Sequence, residues 1–131
     1  MTAKPFSLFS TFLHLQPGGD VAPMRVDKTF WQRLKSGHMD GRLAGGFRIT
    51  RSTSWEMHPD GDEVLYLLSG ALDVVLEQPD GNDSASALQA GRAFVVPRGV
   101  WHRLLLHEPG QLLFFTPGPR TEHRSTRRRT T

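Results

Sequence analysis

From about Leu43 onward the chain alternates short apolar runs with turn residues. The spacing is roughly the 8–12 residues expected of a β-sandwich or barrel. Phe47–Arg51 is one predicted strand, and Val64–Leu68 is another, ended by Ser69-Gly70. Leu72, Val74 and Leu76 alternate with polar Asp73 and Glu77, the pattern of a half-buried strand. Gln78-Pro-Asp-Gly81 predicts a turn. Phe94–Val96 leads into a second turn at Pro97-Arg-Gly99, and Leu104–Leu106 and Leu112–Phe115 follow on either side of Glu108-Pro-Gly110. Pro117-Gly-Pro119 closes the ordered region, and Gly70 and Gly91 read as tight turns at strand ends.

Upstream, Phe6–Leu15 predicts a first strand. Asp27–Ser36 predicts the one helix: Asp27 can cap it, Phe30, Trp31 and Leu34 can share a face, and Gly37 can end it. Val64–Leu68, Leu104–Leu106 and Leu112–Phe115 do not alternate. An antiparallel sheet normally wets one face, so a second cover is needed. The first 40 or so residues can supply part of it. A second copy of the chain supplies the rest, and a homodimer is expected.

Composition narrows the chemistry. The chain has 131 residues, enough for one core. It has no cysteine, which excludes disulfides, thiolate metal sites and cysteine nucleophiles. No apolar run approaches the roughly 18 residues of a membrane helix. Ser7, Ser10, Thr11 and His14 break up the only segment resembling a signal sequence, so a cytoplasmic protein is expected. The net charge of +3 is unevenly placed: residues 120–131 hold five arginines and one glutamate, leaving −1 for residues 1–119. Arg127-Arg128-Arg129 reads as a solvated terminus rather than a nucleic-acid contact.

Two segments carry candidate chemistry. The first is Glu56-Met-His58-Pro-Asp-Gly-Asp-Glu63 and the second is Gly91–His102. Glu56 and His58 are two apart, so on a strand both point the same way. Pro59–Asp62 can reverse the chain, with Gly61 available for a positive φ, and Glu63 then opens a strand beside His58, sharing a face with Leu65 and Leu67. Pro97 and Gly99 turn the chain so that His102 enters the next strand above Leu104 and Leu106. His58, Glu63 and His102 make a two-histidine, one-carboxylate set suited to Fe(II), and Glu56 adds a second carboxylate. Such nitrogen and oxygen donors suit one divalent transition metal among Fe, Zn, Mn, Co and Ni.

The two segments resemble the two motifs of the cupin superfamily. Glu56-x-His58-x4-Glu63-x6-Gly70 matches the first motif from its second histidine onward. Gly91-x5-Pro97-x-Gly99-x2-His102 matches the second motif up to its histidine. Glu56 stands in place of the usual first metal histidine, Thr50 in place of the leading glycine and Leu106 in place of the final asparagine. The resemblance implies an all-β, jelly-roll barrel (a double-stranded β-helix) with a short N-terminal helix. Its expected organisation is an N-terminal arm over 1–42, a cupin barrel over 43–119 and a basic, disordered tail over 120–131. It also implies metal roles for His58, Glu63 and His102. Glu56 is left as a fourth ligand, a catalytic base beside the metal, or a partner of Arg48 or Arg51.

The function expected from this resemblance is a metal-dependent enzyme on a small oxygen-rich or carbonyl-containing metabolite, of dioxygenase, isomerase or lyase type. The alternatives are a non-catalytic ligand-binding or sensor cupin and a metal-stabilised structural protein. Leu65, Leu67, Leu104 and Leu106 suggest a partly apolar substrate. Asp60 and Asp62 read as turn formers, Arg98 as a surface charge, and Trp55, Met57, Phe47 and Trp101 as packing residues, with Trp101 outside the cavity. His14, His38, His107 and His123 read as surface or structural.

Overall fold

A computed structural model describes residues 3–36, 39–118 and 120–125. The helix stop expected at Gly37, together with His38, Pro119 and Arg127–Arg129, lies outside the described residues. Among the described residues the elements are β1 (Thr11–Leu15), β2 (Val21–Arg25), α1 (Phe30–Ser36), β3 (Arg42–Ile49), β4 (Trp55–Met57), β5 (Glu63–Glu77), β6 (Asp83–Gln89), β7 (Ala93–Val96), β8 (His102–Pro117) and β9 (Glu122–Arg124). All strand pairings are antiparallel.

Two long strands organise the barrel. β5 and β8 pair with each other from Val64↔Phe115 to Leu76↔His102. On one half, β3 pairs the second part of β8 and β7 pairs the first part of β5, giving the order β2-β1-β3-β8-β5-β7. On the other half the order is β9-β4-β8-β5-β6. The result is an all-β jelly roll in which β5 and β8 belong to both halves.

The sequence predicts breaks where the structure has bends. Ser69-Gly70 and Glu108-Pro-Gly110 lie opposite each other, with register shifts between Leu67 and Leu72. Gly70 adopts φ 93°, and a Cβ there would sit 2.6 Å from the Glu108 carbonyl oxygen. At Gly110 a Cβ would sit 1.8 Å from the Ser69 carbonyl oxygen. Only glycines let the two backbones approach this closely.

The core lies between the halves. Leu65, Leu67, Leu112 and Phe114 come from one, and Leu72, Val74 and Leu104 from the other, all buried. Each such side chain is worth roughly 1.5–3 kcal/mol of burial. The N-terminal segment does more than pack on the barrel, because β1 and β2 extend its sheet. Phe12 on β1 meets Phe30 of α1 and Phe114 of β8 edge-on, at ring distances of 5.3 and 5.2 Å.

Helix α1 begins at Phe30, three residues later than expected. Asp27 instead caps a preceding turn, its Oδ1 accepting from the Thr29 N–H and hydroxyl at 2.9 Å each. Phe30 and Leu34 face the core, and Trp31, half exposed, packs edge-on against Phe12 and Phe30 with ring centroids 5.8 and 5.2 Å away. The segment 120–125, read from sequence as part of a disordered tail, contains β9, which pairs β4 in the register Trp55↔Arg124, Glu56↔His123 and Met57↔Glu122. No helix among the described residues is long and apolar enough to cross a membrane.

Candidate metal centre

The end of β4, the start of β5 and the start of β8 converge at one end of the barrel. Glu56 lies on β4, and His58 follows its last residue. Glu63 is the first residue of β5 and His102 the first of β8. Because Glu63 belongs to one half of the barrel and Glu56 and His102 to the other, the cluster bridges the two.

The turns before Glu63 and His102 are tied to each other. The Gly99 N–H donates to the His58 carbonyl at 3.0 Å. The Arg98 N–H donates to Asp62 Oδ1 at 2.8 Å, and its guanidinium to the Asp60 carbonyl at 3.3 Å. Arg42 donates to the Asp62 carbonyl at 2.7 Å. Asp60 and Asp62 thus serve the loops. Gly99 takes the expected positive φ, 75°. Gly61 does not take one; a Cβ there would lie 3.3 Å from Pro117, so packing is what limits side-chain size at that point.

The structure brings Glu56, His58 and His102 together and sets Glu63 against the two histidines. His58, Glu63 and His102 are buried, at 3%, 5% and 3% exposure, and Glu56 is partly exposed. Glu56, His58 and His102 each bring a ligand atom within 4.8 Å of one another. Glu63 lies against both rings: Oε1 is 3.2 Å from His102 Nε2 and Oε2 is 3.2 Å from His58 Nε2. Oε2 also accepts from the Thr116 hydroxyl at 2.5 Å. The His58–Glu63 approach is off the line a hydrogen bond needs, so His58 Nε2 is buried without a hydrogen-bond partner. The outer nitrogens are held: His102 Nδ1 donates to the Val100 carbonyl at 3.4 Å, and His58 Nδ1 meets the Thr121 hydroxyl at 2.9 Å. Both Nε2 atoms face the Glu63 carboxylate. An orphaned buried imidazole nitrogen beside two carboxylates fits a divalent transition ion.

The electrostatics point the same way. Burial would raise the Glu63 pKa, but the contacts from His102 and then His58 outweigh it and hold the carboxyl at about 2. Burial would lower the His102 pKa, but the hydrogen bond and charge of Glu63, with help from Glu56, raise it. In the metal-free protein the same contacts favour the protonated form of His102.

A pH profile follows. Glu63 has a folded pKa below its unfolded value of 4.5, so its contribution is present above pH 4.5 and lost as pH falls toward 2. That shift corresponds to about 3 kcal/mol. His102 has a raised folded pKa, so its contribution is complete below 6.5 and is lost as pH rises through the folded value. Both limbs report one ion pair and do not add. Urea unfolding of metal-free protein is expected to show a stability maximum between these limits, and Glu63→Gln is expected to flatten both limbs.

Other residues fall where packing places them. Leu65, Leu67 and Leu104 sit in the dense core, with Leu67 at 0% exposure, so they form a packed floor rather than an open lining. Trp55 is buried. Trp101 is partly exposed and carries the Arg124 guanidinium 4.2 Å above its ring. His123 Nδ1 lies 3.6 Å from Glu56 Oε2, which places a histidine read as surface beside the cluster. Neither Thr121 nor His123 had a periodic or apolar signal in the sequence; strand pairing across β4 and β9 puts His123 there, and Thr121 directly precedes β9.

Comparison with known proteins accords with this architecture. The family model described as "Cupin domain" matches residues 47–116. No curated protein sequence matches the chain. A cupin-2 domain containing protein from Shewanella frigidimarina is 25% identical, with TM-score 0.51, covering 62% of this chain and 74% of the other. An oxalate oxidase is 20% identical at TM-score 0.54, covering 63% of this chain, which matches 46% of that protein's length. Hydroquinone 1,2-dioxygenase from Sphingomonas is 15% identical at TM-score 0.51, with 59% of each chain covered. With the family model spanning more than half of its residues, the chain belongs to the cupin family.

Proposed function

We propose that this cupin binds one divalent transition metal and is an enzyme acting on a small oxygen-rich or carbonyl-containing metabolite, of dioxygenase, isomerase or lyase type. The observation that carries the reading is the buried His58 Nε2, without a hydrogen-bond partner, in a cluster with Glu56 and His102 and 3.2 Å from Glu63. His58, His102 and Glu63 would hold the ion, with Glu56 as a fourth ligand or beside it. A bound ion of this type would act as a Lewis acid on a substrate oxygen.

The two glutamates differ in what they can do. Glu63 is buried and engaged by Thr116 and both imidazoles, so it stays a carboxylate and balances charge. Glu56 is more open, with a side chain 37% exposed. It is the group placed to take or return a substrate proton. Among the structural neighbours, an oxalate oxidase was solved with the substrate analogue glycolate and a hydroquinone dioxygenase with 4-hydroxybenzoate. Both are small oxygen-bearing acids, the class of ligand proposed for this chain.

The proposed assembly is a homodimer. The outer face of β5, β7 and β8 carries Val64, Tyr66, Leu113 and Phe115, partly exposed, with Val95 at 55% and Leu68 at 42% exposure. A second copy would cover this face.

The test is turnover of diketones, phenols and hydroxy acids by protein reconstituted with each candidate metal. Loss of activity in Glu56→Gln with metal retained is the expected result. Ligand binding without turnover for every metal would favour the sensor alternative. Light scattering on the same preparation is expected to give a dimer mass, and a monomer would overturn the assembly.

A further inference from the structure

The C-terminal segment 120–124 is laid along the metal centre, with Glu122 paired to Met57 of β4 and side-chain contacts from the other four residues. Arg120 pairs with Asp60, in the turn between His58 and Glu63. Thr121 meets His58 Nδ1 at 2.9 Å. His123 lies 3.6 Å from Glu56. Arg124 pairs with Glu77 at 2.9 Å, and its guanidinium lies 4.2 Å from the Trp101 ring centre and 5.6 Å from that of Trp55. This arrangement is specific, because a basic tail held only by its charge would not place a neutral hydroxyl on a 3%-exposed imidazole.

The two histidines are held by different means. His102 Nδ1 donates to a backbone carbonyl, that of Val100. For His58 the same job falls to a side chain 63 residues further along. A neutral imidazole carries one proton, and the nitrogen whose hydrogen bond accepts it decides which nitrogen is left bare. With Thr121 Oγ1 accepting from Nδ1–H, His58 Nε2 is bare, 3.2 Å from Glu63 and in the cluster with Glu56 and His102. Without that acceptor nothing would hold the proton on Nδ1; a proton on Nε2, with the Glu63 carboxylate 3.2 Å away, would block the nitrogen needed for a metal.

We propose that Thr121 is a positioning residue of the metal centre, and that β9 is the clamp that delivers it, making the C-terminal segment part of the site. The proposal rests on the metal reading above, but the tautomer it predicts does not require a metal. Arg124 anchors the clamp through Glu77 and Trp101, and Arg120 anchors its other end on Asp60.

The test uses the full chain with Thr121→Val, which keeps the shape and removes the hydroxyl, and Thr121→Ser, which restores it. The first readout is the His58 ring tautomer by nitrogen NMR of metal-free protein at alkaline pH. Wild type and Thr121→Ser are expected to hold the proton on Nδ1, and Thr121→Val to shift it toward Nε2. The second readout is affinity for Zn and Co by chelator competition. Thr121→Val is expected to lose about 10–100-fold, the usual cost of removing the partner that orients a ligating histidine, with most of it recovered in Thr121→Ser. An unchanged tautomer in Thr121→Val would overturn the positioning role whatever the metal result. A wild type with the expected tautomer but no metal affinity would instead contradict the metal reading and leave the Thr121 contact standing.

Discussion

Replacing His102 with alanine is expected to cost the chain its metal while leaving a folded barrel. His102 contributes one of the two imidazoles in the Glu56–His58–His102 cluster. Loss of a direct ligand should exceed the 10–100-fold cost of losing an orienting partner, so affinity is expected to fall by more than about 100-fold. The heat-stabilisation that metal confers should vanish with it. For wild type that gain is about 4 kcal/mol when free metal is 1,000 times the dissociation constant. The metal-free variant should also be weaker than metal-free wild type by roughly 3 kcal/mol or more, because Glu63 loses its principal partner while buried. Adding Glu63→Gln removes the stranded charge, so the double variant is expected to regain part of that stability but no metal. His58→Ala is expected to behave in the same way toward metal. Calorimetric titration of each variant, paired with urea unfolding, measures both quantities. Metal affinity within a few-fold of wild type in His102→Ala would contradict the assignment.

Gly110→Ala is expected to be among the most damaging single substitutions in the fold. Its Cβ would lie 1.8 Å from the Ser69 carbonyl oxygen and 2.3 Å from its carbon, and both are backbone atoms of the crossing strand. Nothing at the tip of a flexible side chain can move aside, so β5 and β8 would have to separate at their bends. These strands carry both halves of the barrel, and the expected loss is about 4–5 kcal/mol or more, or no soluble protein. Gly91→Ala is the control. Gly91 has φ 83°, but a Cβ there would meet nothing within 4 Å, so only the left-handed backbone penalty of roughly 1–2 kcal/mol applies. Urea midpoints for the two variants should differ clearly, and equal costs would show that the close approach is not what requires Gly110.

Much of the site was legible because it depends on local geometry. Strand parity places Glu63, Leu65 and Leu67 on one face, and all three are buried. The Pro97–Gly99 turn delivers His102 to the start of β8. The sequence could not show that Ser69-Gly70 and Glu108-Pro-Gly110 are bends within continuous strands, since the same residues also end strands. It also hid β6, because Asp-Ser-Ala-Ser-Ala-Leu-Gln offers one buried side chain, Leu88, on an otherwise wet edge. Thr121 and His123 were hidden for another reason. Their segment has no apolar periodicity, and its place is decided by pairing with β4 and by Arg124 against Glu77 and Trp101. Glu56 was expected to face either the cluster or Arg48 and Arg51; the structure puts it in the cluster with His123 as its neighbour.

Crystallography at a metal absorption edge tests the metal centre most directly. Wild-type crystals grown with Fe, Zn, Mn, Co or Ni should show one anomalous peak per chain, about 2.0–2.2 Å from the Nε2 atoms of His58 and His102 and within reach of Glu63 or Glu56. A full-occupancy peak elsewhere, or none between the two histidines with any of these metals, would contradict it.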